Sequence, residues 1–65
     1  MVDLEKFSEC ISLLKEIFGE ASLIMSWLEY PHPRLGNQKP RILIVDGQID
    51  QVIDELKRIK NTDPS

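Results

Sequence analysis

Trp27-Leu28-Glu29-Tyr30-Pro31-His32-Pro33-Arg34-Leu35-Gly36-Asn37-Gln38-Lys39-Pro40 is the stretch on which the reading of this chain turns. An apolar, aromatic segment with helical spacing runs into two prolines separated by one residue, and a third proline opens the next segment. Each proline fixes its own φ and drives the residue before it out of the α region. Tyr30 and His32 are therefore expected in extended backbone, and the first helical segment must end at about Glu29. The loop is stiff and carries large side chains. Such a loop suits recognition better than catalysis.

On its N-terminal side, Ala21, Ile24, Met25 and Leu28 predict a short helix over residues 21–29. Before that, Leu4, Phe7, Ile11, Leu14 and Phe18 recur at alternating intervals of three and four, with Cys10 and Ile17 beside them. This is the apolar face of a helix over residues 3–18. Asp3 is placed to cap it, and Gly19 suits the left-handed position past its end. After the loop, Arg41 to Val45 is rich in β-branched residues, which favours a strand. Pro40, however, is suited to a first helical position, and no partner strand is visible. A short helical turn is the better reading. Ile49, Val52, Ile53, Leu56 and Ile59 then mark a last helix over residues 47–60, with Asp46 as its expected N-cap and Asp54–Arg58 as an i, i+4 ion pair. Residues 61–65 read as a polar tail. The fold class expected is all-α, a small bundle of three helices plus a short helical turn after Pro40, forming one domain over residues 1–65.

The chain has 65 residues, a net charge of −3, 42% hydrophobic and 29% charged residues. This is the composition of a soluble globular domain. A core of this size is marginal alone, so a second copy or a partner would stabilise it. No block of Lys and Arg is present to neutralise phosphates, so nucleic acid is not an expected partner. No apolar run approaches the length of a membrane span. One cysteine permits no disulfide within the chain, and no leader pattern opens it, so a cytoplasmic protein is expected.

Catalytic patterns are missing. One His and one Cys far apart do not space a metal site, the three glycines form no phosphate-cradling loop, and the acids fall on polar helix faces. Cys10, on the apolar face of the first helix, reads as a small core residue. The chain is expected to be a non-enzymatic module with no cofactor and no metal. Trp27, Tyr30, His32, Arg34 and Leu35 are the candidate partner-binding residues. Trp27 is also expected to anchor the core, and His32 to face solvent.

These residues also carry a family resemblance. Ile17-Phe18-Gly19-Glu20, Trp27-Leu28, Pro31-His32-Pro33-Arg34-Leu35-Gly36, Pro40 and Leu56-Lys57-Arg58-Ile59 follow one another as in the C-terminal, toxin-binding domain of Xre/MbcA/ParS-type antitoxins. His32 stands where that family typically has Asn, and the stretch from Lys60 to Asp63 lacks its usual glycine-containing ending. The resemblance covers about residues 10–61. It implies an all-helical, dimer-prone domain that sterically blocks a RES-domain toxin consuming NAD⁺. Family members usually carry an upstream DNA-binding domain, which is not expected in 65 residues. A structural or homo-oligomerising scaffold with an unrelated protein partner is the alternative function.

Overall fold

The computed structural model describes residues 3–62, in which four α-helices and one 3₁₀ turn follow one another with no strand among them. Helix α1 spans Leu4–Phe18, α2 Ala21–Glu29, α3 Pro40–Val45 and α4 Ile49–Asn61, and the 3₁₀ turn Pro33–Leu35 sits in the α2–α3 loop. The all-α expectation holds, and the Ile/Val-rich segment 41–45 is helical, opened by Pro40 at its first position. Residues 63–65 of the expected polar tail lie outside the described residues, and α4 itself reaches Asn61.

The ends of the helices follow from local chemistry. The Asp3 carboxylate accepts from the backbone N–H groups of Glu5 and Lys6 at 3.0 and 3.3 Å, satisfying two of the donors that a helix start leaves open. Gly47, at φ +83°, turns α3 into α4. Its N–H donates to the Ile44 carbonyl at 3.2 Å, and the Gln48 N–H donates to Leu43 O at 2.8 Å, the paired closure of a Schellman motif. This corrects the expected role of Asp46. It belongs to the end of α3, its carboxylate accepts from Gln48 Nε2 at 3.0 Å, and the N-cap position of α4 is Gln48, which makes no side-chain cap bond. The turn consumes the residues that the sequence pattern gave to the start of the last helix.

The core is built chiefly where α1 lies against α4. Cys10, Leu13 and Leu14 meet Ile49, Val52, Ile53 and Leu56, while α3 adds Leu43 and Ile44 and the loop adds Leu35. No residue of α2 is buried, although Ile24, Trp27 and Leu28 pack against the core with one side. Three ion pairs tie α1 to α4 in the same order along both helices: Lys6–Asp50 at 2.9 Å, Glu9–Lys57 at 3.2 Å and Glu16–Lys60 at 2.9 Å. The two helices therefore run side by side in the same direction, which α2 and α3, crossing between them in sequence, make possible. Lys6 is level with the first turn of α4, so Leu4 lies beyond that helix's start. Leu4 is accordingly 79% exposed and Phe7 partly so. The buried stripe of α1 is centred on residues 10, 13 and 14 rather than on the Leu4–Phe7–Ile11 line. The expected Asp54–Arg58 pair does not form either, because Arg58 turns to Glu55 at 2.7 Å.

Leu14 and Leu4 separate burial from periodicity. Leu14→Ala should lower the unfolding free energy by about 2–5 kcal/mol, and Leu4→Ala should leave it within about 0.5 kcal/mol. Urea titrations of the two variants check this.

Candidate recognition site

The site is assembled from the α2–α3 loop. Tyr30 and His32 adopt φ, ψ of −93°, 126° and −103°, 130°, the extended backbone that a following proline demands. From there the chain folds back on itself around His32. The His32 carbonyl accepts from the N–H groups of both Leu35 and Asn37 at 2.9 Å, and its own N–H donates to Gln38 O at 3.3 Å. Gly36 and Asn37 supply consecutive left-handed residues, at φ 69° and 61°. Glycine takes that conformation without strain and asparagine more readily than most residues.

The side chain of His32 completes the knot. Its Nε2 lies 3.0 Å from the carbonyl oxygen of Trp27, which has no N–H four residues on because Pro31 stands there and, among the described residues, otherwise accepts only from the Tyr30 N–H at 3.3 Å. The Nε2 atom therefore carries the proton and donates. The imidazole also lies against the indole of Trp27, with ring centroids 4.7 Å apart, and meets Tyr30 edge-on at 5.1 Å. Trp27 in turn touches Phe18 of α1, at 6.0 Å. One continuous aromatic row thus leads from the α1 end, through Trp27 and His32, to Tyr30.

The five candidates fall into different places along this row. Trp27 is half-buried, braced between the core and the loop, as expected of an anchor. Tyr30 is 61% exposed and forms the outer end. The expectation that His32 faces solvent is corrected: it is half-buried, because capping α2 and stacking on Trp27 draw it inward. Leu35 is only 5% exposed and plugs the loop into the core, so it holds the other four in place. Arg34 is exposed and points its Nε at the Glu55 carboxylate of α4, 3.3 Å away.

Glu55 is a residue the sequence reading passed over. It accepts from Arg34 and, through both oxygens, from Arg58 at 3.1 and 2.7 Å. The Arg58 hydrogen bonds, with smaller help from Arg34, hold its carboxyl below the usual range. The Arg58 spacing of three could have been read from the sequence. The Arg34 contact spans 21 residues and has no local signal. On the other flank, the hydrogen bond from Arg41 lowers the Glu29 carboxyl, and Lys39 stands 3.7 Å from it.

No group of three or more His, Cys, Asp or Glu side chains that could hold a metal exists among the described residues, and no described helix is long and apolar enough to cross a membrane. Cys10 is fully buried, and burial pushes its thiol up to about 11. At pH 8, iodoacetamide should alkylate it about a hundredfold more slowly in the folded protein than in urea, since only the thiolate reacts. The linkage has a definite sign. The folded thiol keeps its proton to a higher pH than the unfolded one, so the stability it contributes is complete below about pH 9 and is lost between there and pH 11. Denaturation midpoints of the wild type and Cys10→Val should diverge across that window.

A family model described as the antitoxin Xre/MbcA/ParS C-terminal toxin-binding domain matches residues 13–61, from the middle of α1 to the end of α4 and through the whole loop. Neither a curated protein nor a solved structure matches the chain.

Proposed function

This chain belongs to the antitoxin Xre/MbcA/ParS C-terminal toxin-binding domain family, and from that premise we propose that its α2–α3 loop is the surface that holds the toxin. The partner proposed is a RES-domain protein that consumes NAD⁺. Inhibition is steric: the domain covers the nucleotide pocket and performs no chemistry itself. Trp27, Tyr30, His32 and Arg34 form the contact, and Leu35 fastens the loop from inside. Both proteins meet in the cytoplasm.

The observation that carries this reading is the ordered aromatic row ending in an exposed Tyr30. An exposed tyrosine usually loses rotamer freedom when a partner captures it, and that loss subtracts from affinity. Here Tyr30 already rests against His32 at 5.1 Å, and His32 is fixed by its bond to the Trp27 carbonyl. The loop has met most of its ordering cost on folding. Rigid aromatic groups beside an arginine are the residues that dominate interface energies.

A homodimer is the second part of the proposal. Leu23 and Met25 on α2 and Ile42 and Val45 on α3 are exposed, Val45 at 73%. A second copy that covered them would add apolar burial to a small core. Sedimentation at tens of micromolar should find a species of twice the 7.5 kDa chain mass; a single 7.5 kDa species would remove the dimer from the account.

The variants sort by their place in the row. Trp27→Ala should cost about 3 kcal/mol, enough to unfold most of a small domain. His32→Ala should cost about 1 kcal/mol for its hydrogen bond and weaken toxin binding as well. Tyr30→Ala and Arg34→Ala should melt within a few degrees of wild type and bind a purified RES-domain toxin at least about tenfold more weakly. Calorimetric titration with that toxin decides it. Wild-type affinity in both folded variants would move the binding surface elsewhere.

A further inference from the structure

The cations of this chain are not spread evenly. Residues 21–45 carry Arg34, Lys39 and Arg41 against Glu29 alone, whereas the segments on either side are net acidic. The fold sharpens this contrast. On one flank of the loop, Glu29 is shared by Lys39 and Arg41. On the other, Glu55 is shared by Arg34 and Arg58. Each carboxylate neutralises one of its two cations, so each flank keeps an uncompensated positive charge. The side chains of all four cations are between 39% and 61% exposed. The ion pairs that join α1 to α4 are one-to-one by contrast, and leave no such excess.

A single carboxylate between two cations does more than balance charge. It holds long, flexible side chains in one place, which lowers the entropy lost when a further acceptor arrives. Glu55 engages Arg34 only through Nε and Arg58 through Nε and Nη2. Among the described residues, no acceptor is hydrogen-bonded to the Nη atoms of Arg34. These are the forked donors that pair best with a carboxylate.

We infer that the loop docks on an acidic surface of the toxin, with the Arg34–Arg58 and Lys39–Arg41 pairs as two charged wings of the loop, each taking a carboxylate of the partner. Glu29 and Glu55 are positioning residues that hold the wings open. The inference rests on the proposed toxin-binding role of the loop and adds to it the charge of the opposite face. Four cations on an otherwise acidic chain are too few to hold nucleic acid, where affinity grows with the number of phosphates neutralised.

The two-to-one pairing also makes the test clean. Removing one cation from either pair leaves the carboxylate with the other, so Arg34→Gln, Arg41→Gln and Arg58→Gln should each fold and melt within a few degrees of wild type. Lys15→Gln, on α1, removes the same charge away from the loop segment and serves as the control. The probe is a purified RES-domain toxin of the type proposed above, titrated at low and at moderate salt. Each wing variant should bind about threefold to tenfold more weakly at low salt, mainly through slower association, and should lose part of the wild-type salt dependence. The Arg34→Gln/Arg41→Gln double variant should lose more than either alone, and Lys15→Gln should match wild type. If the wing variants bind as wild type does, or more tightly, or if Lys15→Gln weakens binding as much, the acidic-surface inference is overturned, and the loop's role is then decided by Tyr30→Ala alone. Retention of a DNA duplex by the wild-type protein at moderate salt would overturn it as well. No binding of the toxin by the wild type would overturn this inference and the proposed function together.

Discussion

The bond from the His32 ring to the Trp27 carbonyl is the constraint around which the α2–α3 loop of this protein is arranged. A helix that stops at a proline leaves its last carbonyls without partners. Here the Trp27 carbonyl takes the Tyr30 N–H and, as a second donor, the ring of the residue between the two prolines, and the same ring fills the space between Trp27 and Tyr30. The backbone of His32 meanwhile closes the rest of the loop, accepting from Leu35 and Asn37 and donating to Gln38. One residue therefore caps α2, orders the loop and supports the exposed tyrosine. The two prolines make this possible, since they restrict the loop before any tertiary contact has formed.

The remainder of the fold supplies a platform for that loop. Parallel α1 and α4 provide most of the core, and α4 presents Glu55 to the loop from below. Leu35, buried on the loop, and Arg34, paired with Glu55, fasten it at two points, one apolar and one charged. Neither point is strong by itself. An exposed ion pair contributes at most about 1 kcal/mol, but the two act on a segment whose backbone is already restricted. The acidic excess lies on α1 and at the helix ends, at Asp3, Glu20 and Asp46, while α4 is balanced and the loop itself stays cationic. The aromatic row from Trp27 to Tyr30 and three of the four cations beside it thus lie within one continuous segment, residues 27–41.

Where neighbours in sequence decide the structure, the sequence was legible. The Asp3 cap, the positive φ of Gly19, the end of α2 before the prolines and the helical start at Pro40 all follow from local chemistry, and all are found. The errors arise where distant residues decide. Leu4 and Phe7 have the right spacing for a core face, yet α4 does not extend far enough to cover them. Asp46 has the right identity for an N-cap, yet Gly47 puts it on the other side of the turn. Arg58 could pair with Asp54 or Glu55, and the additional hold of Arg34 on Glu55 belongs to a contact 21 residues long. His32 is the most instructive case: a polar residue between prolines suggests exposure, and only the carbonyl of Trp27 and the flat faces of its neighbours explain why it lies inward.

The most direct test of this account is amide hydrogen exchange, residue by residue, in the free protein and in its mixture with a purified RES-domain toxin, the partner proposed above. A loop ordered before it meets its partner must keep its backbone bonds closed in the free state. The amides of Leu35, Asn37 and Gln38 should therefore exchange far more slowly in the free protein than the exposed end of α4 at Thr62, and residues 30–41 should gain the largest further protection in the complex. Free-state exchange of those three amides as fast as that of Thr62, or protection by the toxin that leaves residues 30–41 untouched, would contradict it.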